Sequence, residues 1–118
     1  MRKRELEQRF IDFAVKTVDL VSELPSDRAN SHLIDQIIRS ATACSLNYGE
    51  AQSAESRRDF LHKNSIVMKE LRETYANLNI LSKLKANSEV PVFNDLIQEA
   101  DQLIAIMYKT IQTTKRNQ

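Results

Sequence analysis

The sequence predicts an all-α protein with the architecture of an antiparallel up-down-up-down four-helix bundle. Apolar side chains recur every three or four residues along four long stretches, the spacing that lines one face of an α-helix. Pro25 separates the first two stretches, and Pro91 falls in the first turn of the last, where proline is tolerated. Because short connections make consecutive helices antiparallel, we expect helices over about residues 4–24, 29–53, 56–86 and 90–115.

The composition supports one folded domain over residues 1–118. Hydrophobic residues make up 42% of the chain and charged residues 28%, a balance typical of globular proteins. Aromatic residues are only 6% and tryptophan is absent, so the predicted core consists mainly of aliphatic side chains. This composition suits layered packing of helices.

Local signals support each helix in turn. The first has two adjacent apolar stripes and ends before Pro25. The second has small residues over 40–45, which allow a neighbouring helix to approach closely, and Gly49, which weakens a helix by about 1 kcal/mol relative to Ala. Ser56 and Asp59 form a capping pattern at the start of the third helix, and the sequence after Leu84 breaks its periodicity.

The apolar stripes also predict self-association. Several helices carry two of them, more hydrophobic surface than a small bundle needs to bury within itself. We therefore expect the chain to associate with copies of itself.

The N-terminal residues and the single cysteine predict a cytoplasmic protein that does not interact with membranes. Met1–Arg4 resembles the basic start of a signal peptide, but charged residues interrupt the next stretch, and no apolar run reaches the roughly 18 to 20 residues of a membrane span. One unpaired cysteine fits a reducing compartment.

Enzymatic motifs are lacking, so we predict a non-enzyme with no catalytic residue, metal or cofactor. A single Gly excludes a glycine-rich phosphate loop, and Cys44 falls on an apolar stripe, where a thiol stays protonated. A remote alternative is a metal-dependent enzyme using Glu50, Asp59 and His62. Metal sites in carboxylate-bridged bundles need more His and Glu than this pattern supplies.

The distribution of charge is uneven although the net charge is only +1. Residues 55–86 hold seven Lys or Arg against four Asp or Glu. Arg39, Arg57 and Arg58 fall off the apolar stripes, where they can meet phosphate, a partner's carboxylates or solvent.

Several blocks of sequence resemble one bacterial family. They are Gln36–Ser40, Asn47–Gln52, Ser56–Phe60, Lys69–Thr74 and Leu96–Leu103. With them, the chain resembles the four-helix bundle proteins encoded in intervening sequences of 23S ribosomal RNA genes, from about Phe10 to Lys115. It departs from the family's usual pattern at Ala43, where relatives often carry Ser, and at Gly49.

The resemblance implies a homopentameric ring. A related group, the accessory variability determinants of diversity-generating retroelements, is similar in fold and uses a basic surface to bind nucleic acid and a reverse transcriptase. Structural polar positions implied by the family pattern are Asn47, Glu50, Glu70 and Glu73.

We therefore expect a non-enzymatic, homo-oligomeric helical scaffold that binds structured RNA, DNA or a ribonucleoprotein partner through basic residues repeated around the ring. The candidate nucleic-acid-binding residues are Arg39, Arg57, Arg58, Lys63, Lys69 and Arg72. Such binding should weaken steeply with salt. The alternative is a protein-interaction adaptor that recruits another protein through an apolar or acidic face and has no affinity for nucleic acid.

Overall fold

Four α-helices account for most of residues 1–117, which the computed structural model describes. They are α1 (Lys3–Ser22), α2 (Arg28–Gln52), α3 (Arg57–Lys83) and α4 (Phe93–Arg116), and a 3-10 turn at Lys85–Asn87 connects α3 to α4. The described residues contain no β-strand. The predicted all-α four-helix bundle is confirmed.

The cross-helix contacts define an antiparallel bundle. Lys63 contacts Glu50 near the α2–α3 turn, whereas Asn77 bonds to Leu33 toward the other end of the same helix pair. Each helix packs on its neighbours in sequence, and α1 also meets α4 in the sparsest of the helix pairings. The molecule measures 48 × 21 × 20 Å.

We call the two ends of the bundle the closed end and the open end. At the closed end, α1 and α3 finish and α2 and α4 begin. At the open end, α1 and α3 begin and α2 and α4 finish. The core runs between them, and its largest fully buried apolar side chains are Phe10, Phe13, Val21, Ile37, Val67, Leu71, Leu78, Leu81, Leu103 and Met107.

Side-chain caps fix the starts of two helices. The carboxylate of Asp27 accepts a hydrogen bond from the backbone N–H of Asn30 at 2.8 Å, and the hydroxyl of Ser56 accepts one from the N–H of Asp59 at 3.0 Å. Each satisfies a backbone donor that the first helical turn leaves without a partner. The second contact is the capping interaction that the spacing of Ser56 and Asp59 predicts.

The α3–α4 connection is longer than predicted. α3 ends at Lys83 rather than near 86, because Leu84 takes up an extended conformation and a 3-10 turn follows. α4 begins at Phe93 rather than near 90, after a turn that contains Pro91. The difference arises from Asn87, whose buried amide donates to the carbonyl of Leu81 at 2.9 Å and holds the chain in this turn.

Gly49 does not end α2, which continues to Gln52. Its backbone is not in the left-handed region, and a Cβ added there would meet only Glu7 Oε1, at the ordinary contact distance of 3.8 Å. The glycine is therefore required neither by backbone conformation nor by a close approach.

Candidate nucleic-acid interface

A polar network holds the middle of α2 against α3. Arg39 donates to Glu70 Oε2 at 2.8 Å and also pairs with Glu73, while the Thr74 hydroxyl donates to the Ser40 Oγ at 2.8 Å. The two carboxylates raise the pKa of Arg39, with the charge of Glu70 as the largest cause. The network includes Ser40, which begins the run of small residues over 40–45 where the sequence predicts a close approach of a neighbouring helix.

Because Arg39 is already paired with carboxylates, it is a weaker candidate for binding nucleic acid than the unpaired cations. Its guanidinium already faces two carboxylates of its own chain, so a phosphate would have to compete with both. Lys63 is in a similar position, because its ammonium lies 3.3 Å from Glu50. These contacts give Glu50, Glu70 and Glu73 structural partners, whereas Asn47 donates to the Ala43 carbonyl of its own helix.

Cys44 lies beside this network and is fully buried. Burial, with a smaller effect of the negative charge of Glu70, raises the pKa of its thiol to about 12. Its Sγ also hydrogen-bonds to the backbone carbonyl of Ser40. A thiol in this environment remains protonated, which fits a packing role.

The residues of the remote metal hypothesis do not form a site in the described chain. His62 is exposed, Glu50 pairs with Lys63, and Asp59 lies at the capped start of α3. No group of three His, Cys, Asp or Glu side chains within residues 1–117 is arranged to hold a metal ion.

The outward face of α3 carries a row of exposed residues that includes four cations, and we call it the basic stripe. Steps of three, four or seven residues place its members on one side of the helix, and all are exposed: Arg58, His62, Ser65, Lys69, Arg72, Ala76 and Lys83. The stripe itself contains no acidic residue, but the exposed Glu73 lies beside it, one helical turn from Lys69, and pairs with Arg39. Three predicted candidates, Arg58, Lys69 and Arg72, thus share one face, and none of them has an ion-pair partner among the described residues.

Arg57 is exposed beside the stripe rather than on it. Its position in the first turn of α3 puts it close to Phe60, one helical turn further on. The sequence identified all of these cations but did not separate those on the outward face of α3 from the two that are paired between α2 and α3, which are Arg39 on α2 and Lys63 on α3. The two groups are separated by the position of each cation around its helix relative to the buried residues.

The sequence did not reveal a groove along the seam between α1 and α4, nor a pocket at the open end of the bundle. Arg9 bridges the helices, with its Nη2 2.5 Å from Glu99 Oε1 and 3.2 Å from the side-chain oxygen of Gln102. This contact raises the pKa of Arg9, mainly through the hydrogen bond to Glu99. Because α1 and α4 pack sparsely, the seam is open toward both ends of the bundle.

The groove toward the closed end is acidic. It has a volume of about 570 Å³, and the apolar side chains of Phe13, Leu20 and Leu96 form its floor. Five carboxylates and a single lysine surround this floor: Asp12, Asp19, Glu23, Asp95, Glu99 and Lys16.

The pocket toward the open end is basic. Its volume is about 470 Å³, and its cationic side chains are Arg2 and Lys3 from the start of α1 and Lys109 from α4. Among the described residues, no acidic side chain lines its walls. Sequence periodicity could not reveal the pocket, because it is formed by the ends of four different helices.

The molecule is an antiparallel four-helix bundle with a basic outer face on α3. This class follows from the order of its helices, their antiparallel packing and the mixed polar and apolar seam. The chain belongs to the 23S rRNA-intervening sequence protein family, whose model matches residues 2–109. The predicted family resemblance is thereby confirmed.

A solved structure has the same architecture. It is that of a protein of unknown function from the S23 ribosomal protein family of Bacteroides thetaiotaomicron VPI-5482, with 27% sequence identity and a TM-score of 0.77. The similarity covers 90% of this chain and 97% of the other. The comparison with curated proteins found no match. None of the described helices is long and apolar enough to cross a membrane.

Proposed function

We propose that the protein is a non-enzymatic, homo-oligomeric helical scaffold that binds structured RNA along the outward face of α3. The observation that carries this proposal is the basic stripe, whose four Arg and Lys side chains are exposed and have no ion-pair partner among the described residues; the neighbouring Glu73 is paired with Arg39. Exposed Arg and Lys without intramolecular partners remain available to phosphate.

The dimensions of the stripe suit a nucleic-acid backbone. Arg58 and Arg72 are fourteen residues apart, which corresponds to about 21 Å along an α-helix. Lys69 lies between them. A straight row of cations over this length can follow several successive phosphates, whereas it offers no side chain pattern for reading base sequence. The proposed recognition is therefore of RNA shape and charge.

Exposed apolar side chains support self-association. Ile11 and Val15 lie one turn apart on α1 and are 41% and 52% exposed, and Leu46 on α2 is 69% exposed. Large apolar side chains on two packed helices offer a surface that a second copy can cover. Repetition of the α3 stripe in an assembly, a pentamer in our proposal, would multiply the phosphate contacts of one protomer.

A salt series tests the binding. We would measure the affinity of the purified protein for a labelled structured RNA at several salt concentrations, and compare an Arg58→Ala/Lys69→Ala/Arg72→Ala variant with a Lys16→Ala/Arg28→Ala/Lys85→Ala control. The control removes the same charge from exposed positions off the stripe. Loss of three phosphate contacts should reduce the slope of log affinity against log salt by about 2 to 3.

Two results would overturn the assignment. Equal slopes for the stripe variant and the control would mean that RNA contacts another surface. No binding of the wild-type protein at low salt would mean that the chain is not a nucleic-acid-binding protein. The mass in solution tests the scaffold separately, since a monomer of 13.6 kDa would contradict self-association.

The acidic groove favours one second candidate, an adaptor that recruits another protein. Its apolar floor and surrounding carboxylates are complementary to a basic amphipathic segment. An adaptor of this kind would keep its partner when α3 is neutralised but lose it when Asp19 and Asp95 are changed to Asn, and it would have no affinity for RNA.

A further inference from the structure

The pocket at the open end brings together four chemically different walls. Leu6 and Ile106 are apolar, Phe60 contributes an aromatic ring, Gln52 an amide, and Lys109 a positive charge. The volume of about 470 Å³ lies within the range of roughly 300 to 1,000 Å³ that is usual for small-molecule sites. A ligand with both an apolar ring and an anionic group matches these walls.

The cations define where the anionic group would lie. Arg2, Lys3 and Lys109 line the pocket, and none of them takes part in an ion pair within residues 1–117. No side chain caps the N-terminus of α1, whose first backbone N–H groups point toward the same end of the molecule. Cationic side chains and the N-terminal end of a helix both favour a phosphate.

The amide of Gln52 provides a second, independent feature. Its Nε2 donates to the backbone carbonyl of Tyr48 at 3.2 Å, while its Oε1 is buried without a hydrogen-bond partner. A buried acceptor in this condition costs free energy that an incoming donor can recover. Nucleobases carry such N–H donors beside a planar ring.

We infer that this pocket binds one unstacked nucleotide of the RNA, with its phosphate held by Arg2, Lys3 and Lys109 and its base placed against Phe60. A base N–H would donate to Gln52 Oε1 once the side chain turns toward the pocket, because this oxygen is buried in the unbound protein. The inference rests on the proposed function and extends it, since the α3 stripe holds the RNA backbone and the pocket receives one base. Single-stranded loops and bulges supply bases that are free to leave the stack.

The position of Arg57 links the two surfaces. It lies between the start of the α3 stripe and Phe60 in the pocket wall, one helical turn from the latter. RNA that follows the stripe toward the open end would therefore pass Arg58 and then Arg57 before it reaches the pocket.

The test uses mononucleotides, because they fit the pocket but are too short to span the stripe. We would titrate the full chain separately with uridine monophosphate, adenosine monophosphate and inorganic phosphate, and follow binding by calorimetry. We expect saturable binding of a nucleotide at least about tenfold tighter than that of inorganic phosphate, because the base adds aromatic contact.

Two lysines of α4 give a matched pair of variants. Lys109 lines the pocket, whereas Lys115 is an exposed lysine on the same helix that does not. We expect Lys109→Ala to weaken nucleotide binding about tenfold and Lys115→Ala to leave it within about twofold. Phe60→Leu should reduce the advantage of the nucleotide over phosphate, and circular dichroism would verify that each variant is folded.

The outcomes separate this inference from the proposed function. Equal effects of Lys109→Ala and Lys115→Ala, or equal affinity for nucleotide and phosphate, would overturn the pocket as a nucleotide site. Structured RNA could still bind through the stripe in that case. If mononucleotides bind as expected but the stripe variant keeps the full salt slope, the pocket stands and the α3 interface is wrong.

Discussion

The two ends of the bundle differ in how fully their buried side-chain amides are hydrogen-bonded. At the closed end, the side chains of Asn30 and Asn87 exchange hydrogen bonds of 3.0 and 2.9 Å, and Asn30 also donates to the carbonyl of Pro25. Toward the open end, Asn64 is fully buried yet neither atom of its amide has a partner in the described chain, and Gln52 Oε1 also has none. Asn77, toward the closed end, is half satisfied, because its Nδ2 donates to the Leu33 carbonyl while its Oδ1 has no partner in the described chain.

We interpret the closed end as a structural region and the open end as a candidate binding region. The Asn30–Asn87 pair ties the α1–α2 connection to the α3–α4 connection, which fixes how the four helices meet. The unsatisfied amides of the open end each cost about 1 to 3 kcal/mol, and they lie in the part of the bundle that holds the basic pocket. Unsatisfied buried groups are rare in proteins and often mark a site of function.

The largest expected effect is at the closed end. Replacing Asn30 by Ala should lower the free energy of unfolding by about 2 to 4 kcal/mol, because it leaves buried groups of Asn87 and Pro25 without partners. Urea denaturation measures this loss. A change below about 0.5 kcal/mol would show that the pair does not stabilise the closed end.

Cys44, between the two ends, gives a prediction for pH. Its folded-state pKa is about 12 against an ordinary value of 9.0, so the unfolded chain releases the thiol proton first as the pH rises. The stabilisation is complete below pH 9.0 and is lost at up to about 1.4 kcal/mol per pH unit above it.

The matching control is Cys44→Ala. Subtracting its unfolding free energy from that of the wild type cancels the titration of all other groups. The difference should stay constant below pH 9 and decline above it. A flat difference up to pH 10.5 would indicate that water reaches the thiol, and that the middle of the bundle is as open as the basic pocket.

At the open end, the expected effect of a substitution has the opposite sign. Changing Asn64 to Leu replaces an unsatisfied buried amide by an apolar side chain of similar shape, and it should raise the free energy of unfolding by about 1 kcal/mol. Asn87→Leu at the closed end is the control, and it should destabilise. If both variants destabilise equally, the two ends do not differ in the way the structure indicates.

The smallest effect concerns Gly49, also near the open end. Gly49→Ala should stabilise the protein by about 0.5 to 1 kcal/mol, because the position is helical and has room for a methyl group. Thermal unfolding would show a higher melting temperature. A lower one would mean that close packing against Glu7 requires the glycine.

Helical periodicity was sufficient to predict the four helices, the cap at Ser56 and the burial of Phe10, Ile37 and Leu103, because these depend on local spacing. It did not reveal the Asn30–Asn87 pair, whose partners lie 57 residues apart. Nor did it separate Arg58 from Arg39, since both lie off the apolar stripes. The way in which α2 and α3 pack on each other decides this difference, because it places Arg39 beside two carboxylates and leaves Arg58 in solvent.

Hydrogen exchange with and without structured RNA tests the central claim most directly, because it locates the contact on the bundle. We expect slower exchange in peptides from α3 between residues 57 and 72 and in those that contain Gln52 and Lys109, with no change over residues 19–35 at the closed end. Protection confined to the closed end, or to the acidic groove around Asp19 and Asp95, would contradict RNA binding along α3.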